Sequence, residues 1–225
     1  MANLGGDPEP QRRSQGRLYG LAVTLAALAG WVDATAFTQW RGVFVSFMSG
    51  NSTTLAASVA SANWPEAGLL CLVLLGFVGG VIGGELLAKT SGRWGPSLVL
   101  TLEALLLGAL SAAVFLGGAT AMTALLLAAA MGLQNASVHK VGEMSVAVTY
   151  VTGTLVNMGR GVSAAIRGEG SWTAPLPYLG LWLGLVSGAA AGAVAASHSV
   201  PGAIGIAALS ALGLAAVATT PGTQS

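Results

Sequence analysis

The sequence has few charged residues. Asp, Glu, Lys and Arg make up 8% of its 225 residues, against about 25% in an average soluble domain. The formal net charge is +1, so the chain lacks the basic surface that nucleic acid requires. Hydrophobic residues contribute 54%. This composition excludes a soluble enzyme, a nucleic-acid-binding protein and a disordered chain, and it predicts a protein that crosses the lipid bilayer several times.

Cysteine and the common catalytic motifs are also scarce. The single cysteine, Cys71, excludes a disulfide framework and a thiolate metal cluster. The chain has no G-x-x-x-x-G-K loop, no G-x-S-x-G elbow, no H-E-x-x-H and no C-x-x-C. Both histidines, His139 and His198, lie at the ends of predicted segments. We therefore expect a protein that is not an enzyme and that has no catalytic residues, no cofactor and no metal.

Six long apolar stretches contain most of the hydrophobic residues. Each has about the 20 residues that a helix needs to cross a bilayer. The stretches are 17–40, 65–88, 96–117, 119–138, 175–197 and 200–218. The predicted fold class is therefore an all-α polytopic membrane protein, with one transmembrane domain over 17–218. Residues 1–16 are polar and are predicted to form a disordered cytoplasmic tail, and 219–225 form a second tail.

Two further stretches, 43–61 and 146–166, are less apolar and are interrupted by Gly with Ser, Thr and Asn. If both crossed the membrane, the chain would have eight spans. Six spans with a cytoplasmic N-terminus place all nine basic residues except Arg41 on the cytoplasmic side, which the positive-inside rule favours. Each interrupted stretch is then predicted to be re-entrant, with an extended leg that leads into a half-helix.

The two halves of the chain resemble each other in three features, at offsets of 102 to 104 residues. These are 30–34 with 132–136, 47–51 with 150–154, and Gly76, Gly80 and Gly84 with Gly180, Gly184 and Gly188. Each unit, about 17–117 and about 119–218, contains three predicted spans and one re-entrant segment. Because three is odd, the second unit is inverted, which predicts a 3+3 inverted repeat.

The two glycine series, the second of which continues to Gly192, place bare stripes on two helices. Glycines four residues apart share one helix face and let two backbones approach closely in lipid. The stripes are expected to pack helices together, either within the chain or between the copies of a homo-oligomer. Lining a pore is the alternative.

Asp33 lies about one turn past the centre of the first span. An ionised carboxylate at this depth costs several kcal/mol unless it is paired or hydrated. Its repeat mate, Asn135, has the same shape but cannot titrate. Asp33 either binds a proton, a cation or a solute, or it joins Asn135 in bonding the free backbone N–H groups of the two re-entrant segments. Both roles can hold together.

Two glycine-containing motifs, 49–54 and 149–154, open the predicted half-helices. Their hydroxyl and amide groups are suited to cap helix N-termini. Two such termini that meet from opposite faces can form a site for an anion or a polar solute. The predicted solute-binding residues are Asp33, Ser49, Gly50, Asn51, Gln134, Asn135, Thr152, Gly153 and Thr154.

Glu103 is the second carboxylate inside a predicted span, about two turns from the cytoplasmic end. It can snorkel to the surface, pair with Arg93 or Arg160, or line a cytoplasmic vestibule. Glu85 and Lys89 differ from it, because they stand four residues apart at a helix end and predict an ordinary ion pair.

The motifs resemble those of a known family. The segments are 29–34 (AGWVDA) with 44–53 (FVSFMSGNST), and 131–136 (MGLQNA) with 149–155 (TYVTGTL). They are similar to the paired signatures of the YoaK-like family, and the similarity extends over about 17–218. The resemblance implies a six-span protein of the bacterial inner membrane. It implies no substrate, because that family carries a domain of unknown function.

Two functions fit these observations. The first is a secondary transporter or channel for a small polar or anionic solute, with Asp33 coupling it to protons and Glu103 as a second coupling residue. The second is a scaffold or sensor whose polar motifs only stabilise the re-entrant segments. The doubled motif favours transport, because a scaffold does not need two half-helix ends at one axis. In both cases the lipid bilayer surrounds the protein, and both termini are cytoplasmic.

Overall fold

The computed structural model describes residues 8–137, 140–141, 144–145 and 151–218, and the regular secondary structure of these residues is helical apart from one short strand pair. The helices are α1 (Pro8–Gln39), α2 (Met48–Ala60), α3 (Trp64–Thr90), α4 (Gly95–Gly117), α5 (Ala121–Ser137), α6 (Val151–Ile166), α7 (Leu176–His198) and α8 (Val200–Ala218). A 3₁₀ turn, Gly92–Trp94, joins α3 to α4. Two short strands, β1 (Lys140–Val141) and β2 (Met144–Ser145), lie between α5 and α6 in the chain and form an antiparallel pair.

Five of these helices are long and apolar enough to cross a membrane. They are α3, α4, α7, α8 and the part of α1 from Gln15 to Gln39. α5 is apolar but has 17 residues. α2 has 13 residues and α6 has 16, so they rise about 20 Å and 24 Å, less than the hydrocarbon core of about 30 Å. The chain is therefore an integral, multi-pass membrane protein.

α1 begins at Pro8, well before the predicted start at Arg17. The prediction that the whole of 1–16 is disordered is thus wrong for residues 8–16, which are helical. Proline suits the first turn of a helix, where its missing N–H is not needed. The Glu, Gln and Arg residues that follow are good helix formers. Because these residues are polar, this part of the helix cannot be recognised from apolar runs in the sequence.

Glycines bring two pairs of helices into close contact, α3 with α5 and α7 with α1. A Cβ atom at Gly76 or Gly80 would overlap backbone carbonyl oxygens of α5, and one at Gly188 or Gly192 would overlap those of α1. The predicted close packing of both stripes is confirmed, and it occurs within one chain. The buried glycines are therefore not available for the homo-oligomer that the sequence suggested.

Both of these helix pairs are parallel. Gly76 lies against Leu125, and one turn later Gly80 lies against Ala129. The numbers rise together along the two helices, so α3 and α5 run in the same direction. The glycines of α7 meet successive residues of α1 in the same rising order, so α7 and α1 are parallel as well.

α4 and α8 are antiparallel. Near the start of α4, Ser97 Oγ donates a hydrogen bond to the carbonyl of Ala215, 3.0 Å away near the end of α8. Near the end of α4, Ser111 Oγ donates to the carbonyl of Pro201, 2.7 Å away near the start of α8. α8 follows α7 after Ser199 alone and packs back against α1, and α4 follows α3 after the 3₁₀ turn. Hence α1, α4 and α7 run in one direction, and α3, α5 and α8 run in the other.

The buried core lies where α1, α4, α5 and α8 meet. Its fully buried side chains include Leu25, Leu100, Leu107, Leu127 and Met131. Large apolar side chains also cover the outer faces of the long helices, among them Leu75, Leu105, Leu183 and Leu209. A soluble protein rarely exposes so much contiguous apolar surface, whereas helices that face lipid are expected to do so.

Candidate functional site

Asp33 holds the chain segment that lies between α1 and α2. Its Oδ1 accepts hydrogen bonds from the backbone N–H groups of Val45 and Ser46, each at 2.7 Å. Its Oδ2 accepts a third from the Ser46 hydroxyl at 2.5 Å. Asp33 is 9% exposed. Accepting hydrogen bonds from free backbone N–H groups is one of the two roles that the sequence suggests for Asp33, because extended backbone inside a membrane needs partners for its N–H groups.

Asn51 fixes the same segment from the α2 side. Its Oδ1 accepts a hydrogen bond from the N–H of Phe44 at 3.0 Å, and its Nδ2 donates to the carbonyl of Phe44 at 2.6 Å. Asn51 is fully buried. Its amide, which the sequence analysis assigned to the solute, is therefore bonded to the backbone of the protein itself.

The hydroxyl groups of the first motif do not cap α2, so that prediction is wrong. α2 begins at Met48, Phe47 is its N-cap residue, and no side-chain hydrogen bond caps it. Ser52, Thr53 and Thr54 each donate to the carbonyl four residues earlier in the same helix. The helix begins before these residues, so their hydroxyls meet backbone carbonyls instead of free N–H groups.

Three phenylalanine rings surround the segment that Asp33 and Asn51 hold. The centroid of the Phe44 ring lies 5.1 Å from that of Phe37 and 5.3 Å from that of Phe47, and Phe44 and Phe47 meet edge to face. A Cβ atom at Gly50 would come within 2.5 Å of the Phe47 ring. Gly50, a predicted solute-binding residue, therefore makes room for this ring.

A cavity of about 450 Å³ lies beside Asp33, within the range of about 300–1,000 Å³ that is typical of small-molecule sites. It is bounded by α1, the segment before α2, the start of α6 and α7. Asp33, Thr38 and Ser46 are its polar lining among the described residues, and the others are apolar or aromatic. Phe47 and Val151 both line it, so the N-cap residue of α2 and the first residue of α6 reach one cavity.

The remaining motif residues lie near this cavity but are not among the described residues that line it. Thr152, Gly153 and Thr154 are in the first turn of α6, directly after Val151. Ser49 lies in the first turn of α2 and is exposed. The earlier part of the second motif, 149–150, is outside the described residues.

Gln134 and Asn135 contact helix backbones. Gln134 is fully buried on α5, and its Nε2 donates a hydrogen bond to the carbonyl of Leu25 on α1 at 3.1 Å. Its Oε1 has no hydrogen-bond partner within the described residues. Asn135 Nδ2 donates to the carbonyl of Met131 in its own helix at 2.9 Å. Neither residue is among the described lining of the cavity.

Glu103 is completely buried on α4, and neither of its carboxylate oxygens has a hydrogen-bond partner among the described residues. The suggestion that it snorkels is therefore wrong. The suggested pairing with Arg160 is wrong as well, because Arg160 is exposed on α6, which packs against α7. The side chain of Arg93, the other suggested partner, lies outside the described part of the chain. The ion pair predicted at the end of α3 is confirmed, with Lys89 Nζ 3.8 Å from Glu85 Oε2.

Comparison with known proteins agrees with the membrane fold. Residues 21–217 match a family described as "Protein of unknown function (DUF1275)". The chain belongs to this family. It is also 34% identical over 208 residues to a UPF0700 transmembrane protein of Rhizobium meliloti (strain 1021), covering 92% of this chain and 89% of the relative. No solved structure matches the chain. The family membership inferred from the two paired motifs is thus confirmed.

The aromatic part of the site in this family member was not predicted from the sequence. Phe37, Phe44 and Phe47 line the cavity, yet in the sequence they are only apolar residues at a helix end and in a loop. A signal was present, because two of them stand directly before the Gly-containing motif of α2. The residues of α7 that complete the lining gave no signal, because any apolar residue could occupy their positions.

Proposed function

We propose that this protein carries a small solute across the membrane, that it binds the solute in the cavity beside Asp33, and that it is not an enzyme. One observation carries the proposal. Phe47, directly before α2, and Val151, the first residue of α6, line the same cavity together with Asp33. Secondary transporters commonly build their solute sites from the ends of broken helices near the middle of the bilayer.

The proposed topology has six spans, with α2 and α6 as re-entrant half-helices. Its support is the direction of the helices. α1 and α3 run in opposite directions, so the segment that contains α2 starts and ends on one side of the bundle. α5 and α7 also run in opposite directions, so the segment with α6 starts and ends on the other side. α5 is the sixth span, and its rise of about 26 Å is accommodated by slight local thinning of the bilayer.

A 3+3 inverted repeat is supported by the pattern of helix pairing. α1 packs with α7 as α5 packs with α3, and α2 packs with α3 as α6 packs with α7. α4 packs with α8. Exchanging α1–α4 for α5–α8 leaves this pattern unchanged, as a two-fold axis in the membrane plane requires. The distribution of basic residues supports cytoplasmic termini, and we propose the bacterial inner membrane as the location.

The geometry supports a solute that is not an anion. From the sequence, the N-termini of the half-helices, with their partial positive charge and free N–H groups, are expected to attract an anion or a polar solute. The N–H groups of Val45 and Ser46 already donate to Asp33. The carboxylate of Asp33 thus occupies the position of the anion and adds negative charge to the cavity.

We assign proton coupling to Glu103 and a positioning role to Asp33. The oxygens of Asp33 are bonded to the segment before α2, so a change in its charge acts first on that segment. Glu103 has no such bonds. It lies 14 residues before the end of α4, and Gln134 lies 13 residues after the start of α5, so both are about 20 Å from the connection between the two helices. Glu103 and Gln134 thus lie at the same depth, where the buried carboxyl of Glu103 and the amide oxygen of Gln134, which has no described partner, can hold a proton.

Cysteine labelling tests the topology and the cavity. Cys71 is exposed, so Cys71→Ala provides a cysteine-free background. Thr38 and Val151 line the same cavity, so we expect a charged, water-soluble thiol reagent to label Thr38→Cys and Val151→Cys and not to label the lipid-facing control Leu75→Cys. If neither cavity position is labelled, water does not reach the cavity and the transport proposal is wrong.

The same background tests the re-entrant segments. Arg41→Cys and Ser61→Cys flank α2, and both are expected to be labelled from outside. Labelling of the two positions from opposite sides of the membrane would make α2 a span and overturn the six-span topology.

A scaffold or sensor is the alternative, and one observation favours it. Asp33 and Asn51 use their polar atoms to hold the backbone, as a purely structural motif would. The two functions differ in the behaviour of Glu103→Gln. In proteoliposomes that contain a pH-sensitive dye, a coupled transporter moves protons when a solute gradient is applied, and Glu103→Gln abolishes this movement. A scaffold moves none in either form.

A further inference from the structure

We propose that the cavity beside Asp33 binds an organic cation, an amine or quaternary ammonium compound whose alkyl groups contact Phe37, Phe44 and Phe47. The proposal rests on the proposed transport function and deepens it by naming the class of solute. Binding itself can be measured without transport, so the two proposals can fail separately.

The first argument is the aromatic wall. All three rings line the cavity, and each is in contact with the next. The face of an aromatic ring carries negative charge density, and groups of such rings are a common way to recognise quaternary ammonium compounds. The rings alone do not select charge, because they would also accept an uncharged apolar ligand.

The second argument is charge. Asp33 is the one charged residue among the described lining of the cavity. The oxygens of Asp33 accept hydrogen bonds from Val45, from Ser46 and from the backbone N–H of Phe47. These donors are neutral, so they leave the negative charge of the carboxylate in place. No described Lys or Arg in the lining offsets the negative charge, so a cation is favoured over an uncharged molecule of the same shape.

The third argument is preorganisation. Asn51 holds the backbone of Phe44 through two hydrogen bonds, and the absence of a side chain at Gly50 leaves space for the ring of Phe47. Phe37 extends from α1 and is 45% exposed. The backbone of Phe44 and the space for the ring of Phe47 are thus set before any ligand arrives, which lowers the entropy lost on binding.

Matched ligands test the proposal on the purified full-length protein in uncharged detergent. Phenyltrimethylammonium and tert-butylbenzene have the same shape and differ by one positive charge, and benzoate carries a negative charge. Binding is measured by equilibrium dialysis, as the excess over protein-free micelles. We expect the ammonium compound to bind about tenfold more tightly than tert-butylbenzene, and benzoate not to bind. Equal binding of the first two, or tighter binding of benzoate, would overturn the proposal.

Variants locate the binding. Phe37→Leu keeps apolar bulk at an exposed position but removes a ring, and it should weaken binding of the ammonium compound about two- to fivefold. Asp33→Asn keeps the shape of the side chain and should remove the preference for the ammonium compound over tert-butylbenzene. Phe115→Leu, at a site on α4 that is 77% exposed and outside the described lining, is the control and should change neither value. If Phe37→Leu binds as tightly as the wild type, the rings are not the site.

Transport of the same ammonium compound separates this proposal from the previous one. If it binds with the expected dependence on Phe37 but proteoliposomes do not accumulate it, the site is correct and the transport function is wrong. If the protein transports another solute and does not bind the ammonium compound, transport stands and the cation site is wrong.

Discussion

Asp33 and Glu103 are both carboxylates buried in apolar helices, and they differ in what surrounds their oxygens. Asp33 accepts three hydrogen bonds from Val45 and Ser46, whereas Glu103 accepts none from the part of the chain that the structure describes. Both residues are candidate functional residues in the sequence for the same reason. Charged side chains are rare inside membrane spans. The structure separates them. Asp33 organises the chain around a cavity, while Glu103 has no hydrogen-bond partner in residues 8–137, 140–141, 144–145 and 151–218 as far as their side chains are described.

This difference indicates what each residue contributes to stability. A buried acceptor surrounded by donors stabilises the fold, whereas a buried acceptor without a donor destabilises it. A buried acceptor without a donor is expected at a functional position, because residues that a protein needs for its function are kept even where they destabilise the fold. Four substitutions test the comparison, and all are measured as the free energy of unfolding in the same mixed micelles.

Asp33→Ala has the largest expected effect. It leaves the backbone N–H groups of Val45 and Ser46 without acceptors in a buried segment, which costs about 3 kcal/mol. Asp33→Asn is the matched control. Its amide oxygen can still accept from both N–H groups, so the loss should be about 1 kcal/mol. If Asp33→Ala is as stable as the wild type, Asp33 does not hold the segment and the contrast with Glu103 disappears.

Glu103→Met should act in the opposite direction. It replaces an unpartnered carboxyl by an apolar side chain of similar length, and we expect a gain of about 2 kcal/mol. Leu107→Met, at another fully buried position of α4, changes shape without removing a polar group and should change stability by less than about 1.5 kcal/mol. A loss of stability in Glu103→Met would mean that the carboxyl has a partner.

Ser46→Ala removes one of the three bonds to Asp33 and keeps both backbone bonds. The expected loss is about 1.5 kcal/mol, the value for a hydrogen bond to a charged group. Ser52→Ala in α2 is the control, because its hydroxyl is exposed and bonds only within its own helix, so the change should be within about 0.5 kcal/mol. Equal effects of the two substitutions would contradict the special role of Ser46.

Gln134→Leu has the smallest expected effect. It removes the hydrogen bond to the carbonyl of Leu25 and also removes an amide oxygen that has no partner. The two changes oppose each other, so we expect a net change within about 0.5 kcal/mol. A loss well above this value would show that the bond between α5 and α1 stabilises the bundle more than an ordinary hydrogen bond does.

The sequence predicted the long helices well. The stretch 65–88 corresponds to α3 (Trp64–Thr90), 96–117 to α4 (Gly95–Gly117), and 200–218 coincides with α8 (Val200–Ala218). The reason is that a long apolar run bounded by polar or Pro residues has few alternatives in lipid. The polar start of α1 and the aromatic wall were not predicted, because neither follows from hydropathy.

The sequence by itself determined that the chain crosses a membrane, where its long apolar helices lie, which glycines let helices approach closely, and that Asp33 and Glu103 are the two carboxylates to explain. These properties depend on composition and local spacing, which act within one helix. Only the tertiary structure decided that Asp33 is bonded and Glu103 is not, and that three phenylalanines form the wall of the cavity. Partners of a buried oxygen come from segments distant along the chain, so they exist only once the helices have packed.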